Sequence, residues 1–383
     1  MQVKRNNIIS GRKIAVILLV FLLLGGTVLS GCSGATLKGW SGVAVGNDAL
    51  FLGTRAGNLI ALDASSGAQL WSVTPESTES GGFFSPPKTV AIYGTPALDE
   101  DSVYIGTYIL AGGKETGRVF AFPADKIEPR WIYPAQGHLD GAIIGSTVVS
   151  QGRVYFGCSN GYVYALDARN GEKKWEFQTG AQIWGTPVLS GDTLYIGSFD
   201  NKIYALDTAS GSEKWHFQAD GAIVAKPLVY EGVVYAGSYS KTFYAIEADS
   251  GKMKWQFMAT KGFWASALAS GDIIYAPCLD GNVYICDAAT GRDLGVLDLG
   301  KYISSSPVLV DNSVVVIPQE GRLYTIATSV NREVELKDLA AIVDAPLSTA
   351  GGNIYIHTGK PEKIYALNSR GAEVWPSFSL KSK

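Results

Sequence analysis

The 383-residue chain has little histidine, cysteine or methionine, and no excess of charge of one sign. Its three histidines, His138, His216 and His357, are not arranged at a metal-ligand spacing. The 32 basic residues nearly balance the 35 acidic ones, so nothing indicates nucleic-acid binding. Zinc-protease motifs and phosphate-binding glycine loops are also missing. The sequence therefore predicts neither a catalytic residue nor a metal site.

Cysteine occurs four times, and no two cysteines are adjacent. Beyond Cys32 there are Cys158, Cys278 and Cys286, an odd number that cannot be fully paired within one chain. We therefore predict small buried side chains and no structural disulfide.

The N-terminus has the pattern of an export signal. Basic residues precede an apolar run at residues 14–24, which is too short to indicate a membrane span. The sequence Leu29-Ser30-Gly31-Cys32 follows and resembles a lipobox. We predict a lipoprotein signal peptide at residues 1–31, a lipid on Cys32 that anchors the chain to a bilayer, and a tether at residues 32–37. An ordinary secretory signal or an anchor helix is the alternative, and each of these places the rest of the chain outside the cytoplasm.

One sequence repeat of about 40 residues recurs along the rest of the chain. Each copy has four runs of strand character, separated by turn pairs such as Gly-Asp and Ser-Gly. Four-stranded units repeated eight times predict an all-β, eight-bladed β-propeller over residues 38–380. The anchor residues of the eight copies are Phe51, Tyr104, Tyr155, Tyr195, Tyr235, Tyr275, Val316 and Tyr355. Extra length in the first two copies, at residues 72–88 and 108–116, is typical of either recognition loops or tolerated insertions.

In five copies a tryptophan stands four residues after a turn glycine. An aspartate such as Asp207 can accept hydrogen bonds from the turn it opens, and Gly211 can adopt a positive φ. The tryptophan can then pack between neighbouring blades and bury about 150–250 Å². We interpret these tryptophans as structural docking residues: Trp71, Trp175, Trp215, Trp255 and Trp375. The sixth and seventh copies lack one, and Gly295 occupies that position in the sixth.

These copies resemble the tryptophan-docking repeats of the PQQ-like β-propeller superfamily, whose motif reads roughly Ala-x-Asp-x-x-Thr-Gly-x-x-x-Trp. A lipobox followed by a single propeller is similar to the plan of the BamB family of outer-membrane assembly lipoproteins. The resemblance implies a non-catalytic, lipid-anchored scaffold outside the cytoplasm that binds envelope or membrane proteins and needs no cofactor.

The same superfamily includes dehydrogenases that use pyrroloquinoline quinone (PQQ). The alternative is therefore a PQQ-binding dehydrogenase or a quinone-binding sensor, and a carbohydrate-binding surface lipoprotein is a third hypothesis. For those dehydrogenases, the resemblance implies a quinone held over a disulfide between adjacent cysteines, beside a calcium ion. This chain has no adjacent cysteines that could form such a disulfide.

The residues that open the innermost strand of each blade are expected to face a central channel. Aligning the copies gives Tyr93, Ile144, Trp184, Val224, Trp264, Ser304 and Val343 at this position. Trp184 and Trp264 fall outside the docking spacing, and Lys226 and Asp344 lie nearby. We predict an amphipathic ring that anchors a peptide or a flat ligand, built from Tyr93, Trp184, Lys226, Trp264 and Asp344. In the alternative interpretation the aromatic residues only fill the hub and the lysine is solvated.

Overall fold

The computed structural model describes residues 40–76 and 88–380, and all the regular elements in these ranges are β-strands. The all-β prediction is therefore confirmed for this part of the chain. No helix among the described residues is long and apolar enough to cross a membrane. The predicted signal peptide, Cys32 and the tether lie outside the described residues.

The described strands form eight four-stranded antiparallel sheets and one three-stranded sheet. We number the four-stranded sheets 1 to 8 in chain order and call the three-stranded sheet the accessory sheet. Sheet 1 contains β1 to β4, sheet 2 contains β6, β7, β10 and β11, and the accessory sheet contains β5, β8 and β9. These strands are β1 (Ala44–Val45), β2 (Ala49–Gly53), β3 (Leu59–Asp63), β4 (Gln69–Val73), β5 (Lys88–Ala91), β6 (Ala97–Asp99), β7 (Ser102–Gly106), β8 (Tyr108–Ala111), β9 (Lys114–Thr116), β10 (Val119–Pro123) and β11 (Trp131–Tyr133).

Sheets 3 to 8 each consist of four strands that are consecutive in the chain. Sheets 3 to 5 are β12 (Val148–Ser150), β13 (Arg153–Gly157), β14 (Tyr162–Asp167), β15 (Lys173–Gln178), β16 (Val188–Ser190), β17 (Thr193–Gly197), β18 (Lys202–Asp207), β19 (Glu213–Gln218), β20 (Leu228–Tyr230), β21 (Val233–Gly237), β22 (Thr242–Glu247) and β23 (Met253–Met258). Sheets 6 to 8 are β24 (Leu268–Ser270), β25 (Ile273–Pro277), β26 (Asn282–Asp287), β27 (Asp293–Asp298), β28 (Val308–Val310), β29 (Ser313–Val316), β30 (Arg322–Ala327), β31 (Arg332–Asp338), β32 (Ser348–Ala350), β33 (Asn353–His357), β34 (Lys363–Asn368) and β35 (Phe378–Ser379).

Burial within a sheet follows from its packing between two neighbours. In sheet 4 the second and third strands, β17 and β18, are buried almost throughout, because both faces are covered. The fourth strand, β19, instead alternates: Trp215 and Phe217 are partly buried, and His216 and Gln218 are exposed. The core is accordingly divided into clusters between consecutive sheets, such as the one that joins sheets 3 and 4.

Tryptophan side chains connect most neighbouring sheets. In each case the indole Nε1–H donates to a backbone carbonyl oxygen of the next sheet, and the last of these bonds joins sheet 8 to sheet 1. The bonds are Trp71 to Ala124 (3.0 Å), Trp131 to Ala168 (2.9 Å), Trp175 to Thr208 (3.0 Å), Trp215 to Ala248 (2.9 Å), Trp255 to Ala288 (3.0 Å) and Trp375 to Ala64 (3.2 Å). The structure thus places all five predicted docking tryptophans at joints between sheets.

Trp131 is a docking residue that the sequence analysis missed. The turn before it in sheet 2 has no glycine four residues before the tryptophan, so the spacing did not reveal it. The strand register shows the same arrangement, however, since Ala121 pairs with Trp131 as Ala205 pairs with Trp215. An alanine ten residues before a tryptophan is therefore the signal that would have found it.

The turn glycine is required for two reasons. In sheet 4, Asp207 accepts hydrogen bonds from the N–H groups of Ala209 and Ser210, and Gly211 adopts a φ of 75°. A Cβ on Gly211 would also lie 2.6 Å from the ring of Trp175. The glycine therefore permits the turn and receives the tryptophan of the preceding sheet.

One predicted detail needs correction. Val316 is not the anchor of the seventh copy, because Val315 pairs with Thr325 as Tyr275 pairs with Ile285. Since side chains alternate along a strand, this shift of one residue changes the face of the sheet. The extra length at residues 108–116 forms the β8–β9 hairpin, which pairs with β5 in the accessory sheet.

The three described cysteines, Cys158, Cys278 and Cys286, are buried and free. Burial raises the pKa of each thiol to about 12, so these thiols are protonated at neutral pH. They behave as small core residues, as the sequence predicted.

Candidate functional site

A cavity of about 430 Å³ lies where the segments leading into the first strands converge. One residue from each four-stranded sheet faces it, always eleven positions before the anchor residue, as Trp184 precedes Tyr195. We call this cavity the central cavity and these residues the cavity ring. Its members, in sheet order, are Trp40, Tyr93, Ile144, Trp184, Val224, Trp264, Ser304 and Asp344.

The alignment of the cavity ring was wrong in sheet 8. Val343 is fully buried in the cluster between sheets 7 and 8, and Asp344 takes the ring position. Val343 corresponds to Ile223, whose side chain fills the space beside Gly197 of the neighbouring sheet. The ring residues also precede the first strands and do not open them, since β16 begins at Val188, four residues after Trp184.

Trp40 is a ring residue that the sequence analysis missed. Its position eleven residues before Phe51 is the signal that would have revealed it. Trp40 packs on Tyr93, with ring centroids 4.3 Å apart. The two residues form one aromatic side of the cavity.

The accessory sheet supports this aromatic side. Tyr108 of β8 packs edge-on against Tyr93 at 5.5 Å, and its hydroxyl donates to Glu115 Oε1 of β9 at 2.6 Å. Tyr93 is therefore held between Trp40 and the inserted hairpin. The insertion thus contacts the cavity wall from behind, through Tyr93.

Hydroxyl side chains form a second layer around the cavity, two residues after the ring. Thr95 N–H donates to Ser146 Oγ (2.9 Å), and Ser146 N–H donates to Thr186 Oγ1 (2.8 Å). On the other side, Ser266 N–H donates to Ser306 Oγ (3.0 Å). We call these five residues the hydroxyl belt. Each bond of the belt links one sheet to the next.

Lys226 occupies the belt position in sheet 5. Its side chain is exposed to solvent in the cavity, and the protein around the cavity lowers the pKa of Lys226. Among the described residues it has no ion-pair partner within 4.0 Å. Asp344, by contrast, accepts hydrogen bonds from Gln319 Nε2 (2.7 Å) and Ser304 Oγ (3.3 Å).

The structure therefore brings all five predicted interaction residues, Tyr93, Trp184, Lys226, Trp264 and Asp344, to one cavity. Trp184 and Trp264 are half-buried, and both line the cavity. Across residues 40–76 and 88–380, no three His, Cys, Asp or Glu side chains are grouped so that they could hold a metal ion. The arrangement offers flat apolar contacts and one ammonium group, which is the chemistry of a binding site.

A family model described as outer membrane protein assembly factor BamB matches residues 25–183 and 177–377. The chain belongs to this family. Because the two matched segments span nearly all the described residues, membership extends to every sheet of the propeller.

Solved structures show the same fold. The crystal structure of BamB from Moraxella catarrhalis has a TM-score of 0.70 and 20% sequence identity, and the match covers 87% of this chain and 97% of that chain. The computationally designed Ika8 protein has a TM-score of 0.68 at 14% identity, covering 86% and 96%. The quinohemoprotein alcohol dehydrogenase ADHIIG from Pseudomonas putida HK5 has a TM-score of 0.59 at 17% identity, covering 74% and 62%. These similarities establish a PQQ-like β-propeller architecture that resembles BamB.

Two curated proteins share shorter stretches of sequence. The lupanine 17-hydroxylase [cytochrome c] of a Pseudomonas species is 28% identical over 149 residues, which is 35% of this chain and 20% of that protein. The 1-butanol dehydrogenase (quinone) of Thauera butanivorans is 30% identical over 120 residues, 30% of this chain and 19% of that protein. The chain thus spans about a fifth of the length of these relatives.

Proposed function

We propose that this protein is a non-catalytic scaffold of the cell envelope, in which each four-stranded sheet is one blade of an eight-bladed propeller that binds other envelope proteins. Membership of the BamB family along almost the whole propeller supports this function. The extracytoplasmic location and the lipid on Cys32 are part of the same proposal. In this proposal the lipid holds the propeller at a membrane surface, where its partners lie.

The central cavity is the proposed contact site. Three tryptophans and a tyrosine face it from a rigid frame, and aromatic anchors in pockets carry much of the affinity of protein interfaces. The hydroxyl belt links the sheets that carry these side chains, and the accessory sheet packs on Tyr93 before a partner arrives. Such preorganisation reduces the entropy lost on binding.

Affinity capture from detergent-solubilised native membranes tests the proposal. The tagged wild-type lipoprotein should retain a reproducible set of envelope proteins, identified by mass spectrometry, and a Trp184→Ala, Trp264→Ala double variant should lose them. The matched control is Met253→Ala, Met258→Ala, which removes two exposed apolar side chains from the outer strand β23. If the cavity variant retains the same proteins as the control, the cavity is not the contact site.

A second experiment tests the anchor. Fractionation of cells should recover the wild type with membranes and a Cys32→Ala variant in a soluble extracytoplasmic fraction. Recovery of the variant in the membrane fraction would contradict anchoring through Cys32.

The alternative function is a quinoprotein, favoured by the partial similarity to two quinone-linked enzymes. The aromatic faces and Lys226 fit a flat, carboxylate-bearing quinone such as PQQ. The cavity fits a calcium ion beside the quinone less well, because calcium prefers several oxygen ligands. Asp344 is the only carboxylate among the described residues lining the cavity, and it is already hydrogen-bonded. We therefore assign no redox step to these residues.

Mixing the purified protein with PQQ separates the two functions. A scaffold should leave the absorbance spectrum of PQQ and the melting temperature of the protein unchanged. A shifted spectrum together with a raised melting temperature would favour the quinoprotein.

A further inference from the structure

Lys226 departs from the pattern of the hydroxyl belt. At this position Ser146, Thr186 and Ser306 accept a backbone N–H from the preceding sheet. An ammonium group is only a donor, so Lys226 cannot accept such a bond. Gly42 and Pro346 also lack a hydroxyl at the corresponding positions of sheets 1 and 8, but only Lys226 places a charge there. A charged residue at such a position without a structural gain is expected to have a functional reason.

The charge of Lys226 is also uncompensated by the described residues. It has no carboxylate within 4.0 Å, and Asp344 of the same cavity accepts hydrogen bonds from Gln319 and Ser304 through its Oδ1. Surrounding protein holds its pKa below the ordinary value of 10.5. The ammonium is exposed in the cavity, and a carboxylate of a ligand would form a charge-assisted hydrogen bond with it.

The surroundings of Lys226 indicate what else the ligand carries. Sheet 5 contributes Lys226 and Val224, and its two neighbours, sheets 4 and 6, contribute Trp184 and Trp264. The ammonium thus belongs to a sheet that stands between two half-buried indole rings. A carboxylate flanked by apolar side chains is complementary to this pattern.

We propose that the central cavity binds an acidic peptide segment of a partner, with Lys226 pairing with an Asp or Glu carboxylate and with Trp184 and Trp264 packing on the neighbouring apolar side chains. This inference depends on the proposed scaffold function and names the chemistry of the partner. A cavity of about 430 Å³ holds a few side chains and not a folded domain, so the partner contributes a protruding loop or an extended segment.

Calorimetric titration with two blocked tripeptides, acetyl-Leu-Glu-Leu-amide and acetyl-Leu-Gln-Leu-amide, tests the proposal. The wild type should bind the Glu peptide about tenfold more tightly than the Gln peptide, and the preference should fall as salt is added. In Lys226→Thr, which restores the belt residue, both peptides should bind equally. The matched control is Lys254→Thr, which removes an exposed lysine from β23 and should keep the preference.

Each other outcome overturns the inference. Equal binding of the two peptides by the wild type, no binding of the Glu peptide at millimolar concentration, or a preference that persists in Lys226→Thr would exclude a role for Lys226 in acid recognition. Equally tight binding of free glutarate would make the cavity a small-carboxylate site and not a peptide site. If the peptides fail while membrane capture still depends on Trp184 and Trp264, the scaffold function stands and only its acid specificity is wrong.

Thermal unfolding provides an independent measurement. Because threonine restores a belt hydroxyl that can accept a backbone N–H from sheet 4, Lys226→Thr should melt about 1–3 °C higher than the wild type. A lower melting temperature would show that Lys226 stabilises the fold, and the functional argument for it would fail.

Discussion

The joint between sheets 3 and 4 and the joint between sheets 6 and 7 connect similar sheets through different contacts. At the first joint, Trp175 Nε1 and the Tyr155 hydroxyl both donate to the carbonyl oxygen of Thr208, at 3.0 and 3.3 Å. At the second, Gly295 stands opposite Ile285 where other sheets have the tryptophan, and Tyr275 donates to Asn331 Oδ1 at 2.8 Å. The comparison teaches that the packing of neighbouring sheets does not require a docking tryptophan at every joint, and that stability is distributed unevenly around the propeller.

The largest effect should come from removing a docking tryptophan. Trp175→Ala removes a buried ring and a hydrogen bond, and it should lower the free energy of unfolding by about 3–5 kcal/mol. Val296→Ala, next to the position without tryptophan in sheet 6, should cost less than about 0.5 kcal/mol because Val296 is 45% exposed. Denaturant titration measures both values. Similar losses in the two variants would show that the tryptophan joint is not the stronger one.

The next effect isolates the contact between the turn glycine and the ring. Gly211→Ala meets the Trp175 ring at 2.6 Å in addition to a φ of 75°, so we expect a loss of about 2–4 kcal/mol. Gly191→Ala has a comparable φ of 59° but nothing within 4 Å of the new Cβ, and should cost only about 1 kcal/mol. The difference in unfolding free energy between the two variants, from the same unfolding experiment, measures the contact of the new Cβ with the Trp175 ring. No difference would mean that the turn conformation alone requires glycine.

A smaller effect distinguishes the tyrosines of the two joints. Tyr275→Phe removes the hydrogen bond to Asn331, and should cost about 1–1.5 kcal/mol. Tyr155→Phe should cost about 0.5 kcal/mol, because the Thr208 carbonyl still accepts from Trp175. Unfolding free energies of the two variants test this order, and the reverse order would contradict the assignment of a compensating tryptophan bond.

The smallest effect is a loss of folding stability at acidic pH. Hydrogen bonds from the Ser66 and Ser65 side chains and from backbone N–H groups lower the pKa of Asp63 from 3.8 to about 2, and similar bonds from Ser210 lower the pKa of Asp207. A lowered pKa in the folded state means that the stabilisation is complete above about pH 4 and is lost as the pH falls toward 2. The corresponding turn of sheet 7 has Ala327 in place of the aspartate.

Melting temperatures between pH 2 and 7 check this prediction. The wild type should be insensitive to pH just above 4 and should become less stable below it. Asp207→Asn should show a smaller acid-induced loss, and Ala327→Ser, a change in the turn without a carboxylate, should keep the loss of the wild type. An unchanged acid response in Asp207→Asn would show that this turn does not contribute.

Much of the candidate site was predictable because it repeats. Trp184, Trp264 and Tyr93 stand at one offset from their anchors, so the periodicity alone placed them at the same end of their sheets. Trp40 and Asp344 have the same offset from Phe51 and Tyr355, but Trp40 precedes the first copy and the alignment chose Val343 in place of Asp344. Their position in the cavity ring became clear only from the structure.

The sequence by itself determined the units of this protein: all-β chemistry, four strands per unit, the turn glycines and five of the docking tryptophans. These features are local, since turn residues and alternation of apolar side chains act within about 40 residues. Only the tertiary structure decided which residues meet across long separations. Trp375 reaches Ala64 over 311 positions, the hairpin at residues 108–116 pairs with β5 to support Tyr93, and Lys226 faces a cavity without a carboxylate partner among the described residues. Such contacts depend on how the sheets pack around the cavity, and no local pattern encodes that arrangement.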